Sequence, residues 1–202
     1  MMLSSDIKEY SHESFVGMDF TDETFQDYSF SDCKFSGCTF TGALIEKCNF
    51  SSCNFSFSRL NDTLIKNSAM VNCVFSGASL FTAEFVDCKC SGSNFSGADL
   101  SGINIHGGNF SYTVFDKCDL RKQNFSNTIF SGSNFSEANL SKSFFTDCNM
   151  TDCIFHGADL SECDLSRAVI DGSDIVNAKL KKTKIDLNGA VYLANRLGCI
   201  IS

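Results

Sequence analysis

The sequence predicts an all-β solenoid of square coils, and two superimposed periods in its apolar residues are the basis for this. From Phe15 to Ile185 every fifth residue is apolar, through thirty-five positions without an insertion or deletion. A twenty-residue period lies over the first: Leu recurs from Leu60 to Leu180, and Phe recurs from Phe15 to Phe155. Helices and strands repeat about every 3.6 and 2 residues and give neither spacing. A chain that turns a corner every five residues and closes a coil every twenty gives both.

Each five-residue side of such a coil has one large inward residue, which we call the centre. Eighteen of the 21 Phe residues occupy centres, and the residue two before the centre is usually small, so the sides pair one large with one small inward side chain. Coils stack at about the 4.8 Å spacing of strands, which places like centres on one another. Eleven of the 14 Gly residues lie two after a centre, where a corner requires an unusual φ.

The full five-residue motif is clearest in SGSNFSGADL (91–100) and HGADLSECDL (156–165), where Asn or Asp precedes the centre. These residues resemble the pentapeptide-repeat family, and the resemblance implies a right-handed quadrilateral β-helix over about residues 15–187. The sequence thus divides into an N-terminal cap at 1–14, the β-helix at 15–187, and a C-terminal helix and strand at 188–202.

Charge is distributed unevenly along this single domain. The net charge is −8, made up of −7 over residues 1–32, −5 over 33–178 and +4 over 179–202. A protein that binds along nucleic-acid phosphates needs Lys and Arg residues along its length, and this acidic chain lacks them. We therefore expect no direct nucleic-acid binding. We interpret the lysines at 179–184 as a solvated last coil.

The sequence gives no sign of membrane insertion or export. No apolar run approaches the roughly 20 residues that a membrane span needs. The start, MMLSSDIKEYSHES, lacks the basic region and apolar core of a secretory signal. We therefore expect a cytoplasmic protein.

The twelve Cys residues follow the repeat. Ten of them occupy the small inward position, so pairs such as Cys33 and Cys38 have the repeat spacing and not that of a metal-binding C-x-x-C. Buried thiols are the expected state. Two alternatives stay open: a disulfide, since Cys33, Cys53 and Cys73 should stack within bonding distance, and a metal site.

Nothing in the sequence points to catalysis. The three His residues fall on different columns of the coil, and no Ser or Cys has a base assigned by spacing. A core filled with Phe and Leu leaves no room for the pocket that enzymes normally need. We predict a non-enzymatic protein with no cofactor, no metal and no small-molecule substrate.

The repeat stops after Ile185, and the last residues predict a different structure. Asn188 is a plausible N-cap for a short amphipathic helix, Gly198 is placed to end it, and residues 199–201 suggest a short strand. This element could fold back as a lid on its own rod or join a second copy. The predicted dimer interface comprises Val191, Leu193, Ala194, Leu197, Ile200 and Ile201.

The run YLANRLGCII (192–201) is similar to the end of the Qnr-type quinolone-resistance proteins. This resemblance implies a two-fold dimer joined at the C-terminal element, with DNA gyrase and topoisomerase IV as partners and a rod that mimics duplex DNA. Many Qnr proteins carry two loops that interrupt the repeat and contribute to protection. Here the register is never interrupted, so the resemblance is to the loopless members and weaker protection is expected.

A DNA mimic needs acidic residues on its surface. The densest acidic stretch beyond the N-terminus lies on the C-terminal coils, near the middle of such a dimer, and within it only Arg167 has the opposite charge. The alternative is that these acids simply keep the protein soluble. The candidate topoisomerase-binding surface comprises Asp147, Asp152, Asp159, Glu162, Asp164, Asp171 and Asp174.

Three functions fit the sequence. The leading hypothesis is a dimeric, non-catalytic DNA mimic that shields gyrase or topoisomerase IV from quinolones or a related toxin. The second is a generic interaction scaffold or secreted effector without a topoisomerase role. A flat-faced ice-binding protein is disfavoured, since no outward face carries an unbroken Thr ladder.

Overall fold

The computed structural model describes residues 7–201 and shows a right-handed quadrilateral β-helix followed by one short helix. Strand and bridge residues pair in parallel with the residue twenty positions away, from Glu9 and Ser29 at one end to Asp164 and Lys184 at the other. The pairing keeps the same offset throughout, which confirms both the square coil and the absence of inserted loops along this ladder.

Nine three-residue strands form two parallel sheets on neighbouring sides of the rod. One sheet has the order β1-β3-β5-β7 and the other β2-β4-β6-β8-β9. Isolated bridges with the same offset join the remaining sides. The strands are β1 Glu9–Ser11, β2 Thr24–Gln26, β3 Ser29–Ser31, β4 Leu44–Glu46, β5 Asn49–Ser51, β6 Leu64–Lys66, β7 Ala69–Val71, β8 Glu84–Val86 and β9 Asn104–His106.

The centres form the core, as predicted. Every fifth residue from Phe15 to Ile175 is buried, and Leu180 and Ile185 pack partly buried at the end. The Phe column that begins at Phe15 stacks with nearly parallel rings: Phe75 and Phe95 lie 4.5 Å apart at 1°. Large side chains therefore fill the axis of the rod.

The small inward residues have a role that the sequence pattern did not show. Most of the Cys, Ser and Thr side chains there donate a hydrogen bond to the carbonyl of a centre 23 residues earlier, as Ser58 does to Phe35 at 2.6 Å and Thr63 to Phe40 at 2.8 Å. The Cys38 thiol does the same to Phe15 at 3.0 Å. A side chain that is both small and a donor is therefore favoured at this position, which explains why Cys, Ser and Thr recur there.

The corners need a left-handed backbone, and Gly is only one of the residues that adopts it. All eleven glycines two after a centre have positive φ, and so have 23 other residues at the same position of the repeat. Asn177 is the exception, because it ends a 3-10 helix at Ile175–Asn177. Asn and Asp before the centre stabilise the turn, as Asn94 Oδ1 accepts from the backbone N–H of Ser96 at 2.8 Å.

Part of the predicted N-terminal cap belongs to the β-helix. Residues 1–6 lie outside the described residues, but β1 pairs with β3, and the Tyr10 ring stacks on Phe30 at 5.3 Å. Tyr10 occupies a centre position, one repeat before Phe15, and is aromatic like most centres. The ladder consequently begins before the predicted boundary at residue 15.

Candidate functional site

The C-terminal helix α1 spans Leu187–Arg196 and covers the end of the rod. Its N-cap is Asp186, whose Oδ1 accepts from the Gly189 N–H at 2.9 Å, so the predicted cap at Asn188 is wrong. Both residue types cap helices well, and the sequence could not distinguish positions two apart. Gly198 has a φ of +82° just after the helix, which confirms it as the terminating glycine.

The inner face of α1 packs on its own rod. The Tyr192 hydroxyl donates to the Ser173 carbonyl at 2.7 Å, and Gly189 is buried against Ile170 and Ile185. Leu193 is half-buried against the core. The helix therefore caps the last coil, as the lid interpretation expected.

The outer side of this element exposes apolar side chains. Leu197, Ile200 and Ile201, which we call the apolar tip, have exposed fractions of 70%, 94% and 53%. The predicted dimer interface is therefore divided: Val191, Leu193 and Ala194 are half-buried within their own chain, whereas the apolar tip faces solvent. Exposed large apolar residues in a group are typical of an interaction surface.

The strand predicted at residues 199–201 is absent from the single chain. Cys199 donates its N–H back to the Ala194 carbonyl at 2.9 Å, which belongs to the end of the helix. A strand requires a neighbouring edge to pair with. Within the described residues no such edge lies beside this segment, so the strand prediction is wrong for the isolated chain.

The candidate acidic residues of the C-terminal coils do not form one patch. In the square coil they fall on all four sides, because their positions within the twenty-residue period are spread around it. Four of them pair with a cation twenty residues away. These pairs are Asp147–Arg167 at 2.7 Å, Asp159–Lys179 at 2.7 Å, Asp164–Lys184 at 3.4 Å and Glu162–Lys142 at 3.9 Å.

This pairing corrects the expectation that Arg167 alone opposes the stretch. The sequence separates each lysine from its acid by one full coil, and the solenoid then places the two side by side. The Arg167 guanidinium, through its hydrogen bonds, lowers the pKa of the Asp147 carboxyl. The carboxylate of Asp174 is engaged in hydrogen bonds within the chain, since it accepts from the Phe155 backbone N–H and from the Asn177 side-chain amide. Asp152 and Asp171 have no ion pair within residues 7–201.

Uncompensated negative charge is densest at the opposite end of the rod. Seven acids on the first coils are exposed, and none has an ion pair in the part of the chain that the structure describes. The neighbouring cation Lys8 lies over the Tyr28 ring at 3.8 Å. The sequence already indicated this concentration of acids, because residues 1–32 have a net charge of −7. The acids are Glu9, Glu13, Asp19, Asp22, Glu23, Asp27 and Asp32.

The thiols are buried at eleven positions, and Cys199 is exposed. Burial raises the pKa of Cys118 and Cys148 to about 12. Among residues 7–201 no group of three or more His, Cys, Asp or Glu is arranged to hold a metal ion. Cys199 is therefore the one thiol among the described residues that solvent reaches freely.

Thiol labelling should reflect this division. At pH 8 any fast reaction of the native protein should be confined to Cys199, because the thiolate is the reactive form and burial disfavours it at the other thiols. The remaining thiols should react only after unfolding. Intact-mass measurement after iodoacetamide treatment checks this, with Cys199→Ser as the control that should show almost no fast labelling. Fast modification of several thiols in that variant would contradict the inward assignment.

The surface shows one shallow cleft beside the candidate interface. It lies between α1 and the last coils and is lined by Arg167, Ile170, Asp186 and Tyr192 among others. Of its two acids, Asp171 and Asp186, the second already accepts from the Gly189 and Arg167 N–H groups.

No helix within the described part of the chain is long and apolar enough to cross a membrane.

Comparisons with known proteins agree with this architecture. The family model for pentapeptide repeats matches residues 29–67 and 83–121, and that for the pentapeptide repeat region matches 106–175. No curated protein matches the sequence significantly.

Solved structures give a full-length match. A trypsin-treated variant of QnrB1, a plasmid-mediated fluoroquinolone resistance protein, is 26% identical with a TM-score of 0.71, covering 96% of this chain and 97% of that one. Full-length QnrB1 is 26% identical with a TM-score of 0.57, covering 94% and 99%. HetL from Nostoc sp. strain PCC 7120, involved in heterocyst differentiation regulation, shares the fold at 17% identity, a TM-score of 0.54 and coverage of 87% and 84%.

Proposed function

The chain belongs to the pentapeptide-repeat family, and from this premise we propose that it is a non-catalytic, dimeric DNA mimic that binds DNA gyrase or topoisomerase IV. In this role it protects the enzyme from quinolones or a related toxin. The observation that supports the proposal most is the end-to-end likeness to QnrB1, from the first coil to the C-terminal helix. A cytoplasmic location follows from such a partner.

The apolar tip supports the dimer. Leu197, Ile200 and Ile201 bury little in a single chain, and an unpaired segment beside them is available to a second copy. A two-fold contact would use each of these side chains twice. At about 4.8 Å per coil, two rods joined here would extend roughly 85 Å, comparable with about 25 base pairs of duplex DNA.

Electrostatics decide which surface of such a dimer would meet a basic partner. The C-terminal acids would lie near its middle, but four of the seven already pair with cations. The unpaired acids of the first coils would lie at its two outer ends. Both sets are therefore candidate contacts for a basic partner: Asp152 and Asp171 are the unpaired acids near the middle of the dimer, and the N-terminal acids lie at its outer ends.

A supercoiling assay with gyrase and ciprofloxacin tests the proposal. We expect the protein to restore supercoiling in the presence of the drug, less strongly than a Qnr protein that carries loops. Asp152→Asn with Asp171→Asn should weaken protection if the central charges make the contact. Asp22→Asn with Asp27→Asn removes the same charge from the outer ends and is the matched comparison. Absence of protection for both gyrase and topoisomerase IV would contradict the proposal.

A second candidate function is an interaction scaffold without a topoisomerase role. Two observations favour it: the neutralised acids of the C-terminal coils and the fold shared with HetL. A scaffold of this kind needs neither the drug nor a dimer. A monomer in solution that leaves gyrase unprotected would favour this function.

A further inference from the structure

The ladder of backbone hydrogen bonds is interrupted at one level of the rod. Residues 99–107 form two neighbouring sides of one coil, and residues 119–127 lie beside them in the next coil. Among residues 7–201 this is the level at which two neighbouring sides both lack every ladder bond that the adjacent coils make there. We call the opening between these two segments the slot. The missing bonds are those from the N–H of Leu100 to the carbonyl of Asp119, Gly102 to Arg121, Ile105 to Asn124, Gly107 to Ser126, Asp119 to Ala98 and Asn124 to Ile103.

The other two sides of the rod stay bonded at this level. On one of them the Phe95 N–H donates to the Val114 carbonyl at 2.9 Å, and on the other the Phe110 N–H donates to the Ile129 carbonyl at 2.7 Å. The core also stays closed, since the centres that flank the slot are buried: Leu100, Ile105, Leu120 and Phe125. The two coils are therefore joined along one half of their perimeter and separated along the other.

Gln123 explains why the ladder opens here. It occupies the small inward position of the repeat, where Ser143 of the next coil donates from Oγ to the Leu120 carbonyl at 2.7 Å. A Gln side chain is too long for that space, and its Nε2 donates to the Arg121 carbonyl at 3.2 Å instead. That carbonyl is the acceptor that the Gly102 N–H would use in a closed ladder. One side chain thus pushes the coils apart and also takes a ladder acceptor.

The residue one coil before Gln123 adds to this effect. Ile103 lies at the same position of the repeat and is fully buried. The other residues of this column from 43 to 183 are Ala, Thr, Ser or Cys. Two large side chains in succession exceed the space that a coil spacing of about 4.8 Å provides, and overpacking of this kind displaces the backbone.

Solvent reaches the slot on both of its sides. One cleft, of about 220 Å³, is lined by Gly102 and Arg121 among others, and a second, of about 340 Å³, is lined by Gly107 and Asn124 among others. Each has room for several water molecules at about 30 Å³ apiece, so water can satisfy the open N–H and C=O groups. In the part of the chain that the structure describes, no hydrogen bond or ion pair joins residues 99–107 to residues 119–127.

We propose that the slot is a hinge at which the two halves of the rod tilt against each other. The tilt pivots on the bonded sides, where the Phe95 ring stacks on Phe115 at 5.2 Å. Opening and closing the slot breaks no backbone hydrogen bond, whereas bending at the adjacent levels would break several, and proteins open first where few such bonds resist. The hinge sets the angle between the unpaired acids of the first coils and α1 at the other end, whichever partner the protein binds.

Amide hydrogen exchange of the full-length protein, followed residue by residue by NMR, tests the origin of the slot. The N–H groups that have lost their acceptors should exchange faster than their equivalents in the adjacent coils. Gln123→Ser should close the ladder and slow this exchange by at least about tenfold. The reporting amides are those of Leu100, Gly102, Ile105 and Gly107. Slow exchange at all four in the wild type, or unchanged exchange in Gln123→Ser, would overturn the proposal.

The reverse substitution moves the defect along the rod. Ser143→Gln should open the ladder one coil later and speed exchange at Leu120 and Lys122, which are bonded in the wild type. Ser141→Gln is the matched control: it places the same side chain two residues away at an outward position, so exchange should stay unchanged. Gln123→Ser carries the test alone if Ser143→Gln does not fold, because Ser is the native residue at this position in the next coil.

Distances between spin labels test the tilt itself. Asp62→Cys with Glu162→Cys places two labels five coils apart, about 24 Å, on the corner where the slot opens. Ser52→Cys with Asp152→Cys gives the same separation on the opposite corner, where the ladder is bonded. Both pairs are introduced into Cys199→Ser, whose remaining thiols are buried, and labelled chains are diluted with unlabelled ones.

The widths of the two distance distributions decide between a hinge and a static gap. We expect a broad distribution for the pair at the slot, a narrow one for the pair on the bonded corner, and narrowing of the first when Gln123→Ser is added. Equal widths for the two pairs in the protein with Gln123 would show that the slot does not bend, and would overturn the proposal.

Discussion

Replacing Phe95 with Ala should lower the free energy of unfolding by about 3–5 kcal/mol, among the largest effects available in this chain. Phe95 is fully buried halfway along the rod. Its ring stacks on Phe75 at 4.5 Å and on Phe115 at 5.2 Å, and it meets the edge of Phe85 at 6.3 Å. The rigid ladder on both sides restrains collapse around the vacated space, so most of the cavity should persist.

Denaturant unfolding followed by circular dichroism measures this effect. Ser96→Ala is the matched control, since Ser96 is the next residue on the same side but points outward. Its cost should stay within about 0.5 kcal/mol, as for other surface substitutions. Similar costs for the two variants would contradict the assignment of inward and outward positions.

Placing charge on the apolar tip should separate the proposed dimer. In a two-fold contact each large apolar side chain contributes roughly 1.5–3 kcal/mol and is counted in both subunits. Leu197→Asp with Ile200→Asp should therefore weaken association at least about 100-fold. Leu193 is a poorer choice, because it packs on its own rod and its loss would also disturb the lid.

The monomeric variant should keep the β-solenoid spectrum and lose gyrase protection, since a single rod has half the length and only one of the two acidic ends. Light scattering and the supercoiling assay measure the two effects. Leu187→Asp is the control: Leu187 is 77% exposed but lies at the start of α1 and outside the predicted interface, so the dimer should survive. A wild-type monomer would refute the interface. If the variant is monomeric and still protects gyrase fully, the wild-type dimer would be real, but protection would not depend on two rods bridging the enzyme.

The two ends of the molecule show where sequence reasoning was incomplete. Tyr10 is a centre like Phe15 and its strand pairs with the next coil, so the boundary that the sequence predicts at residue 15 lies too late in the chain. At the other end the helix and its terminating Gly198 were recognisable, but the cap and the strand were not. The N-cap depends on which of two nearby side chains, Asp186 or Asn188, reaches the free N–H groups of the helix. The strand depends on the edge of a neighbouring strand to pair with.

The sequence by itself determined the coil, its register, the core and the corner glycines of this protein. It could do so because the spacing is strict and each side repeats the same contacts, so that local pattern and global fold agree. The tertiary structure decided the charge pattern, since Lys179 meets Asp159 only when one full coil brings them side by side. It likewise decided that Phe57 leans over Gly77, and that Leu193 is covered while Ile200 is exposed. These features join residues distant in the chain or opposite faces of one element, and a linear period carries no information about either.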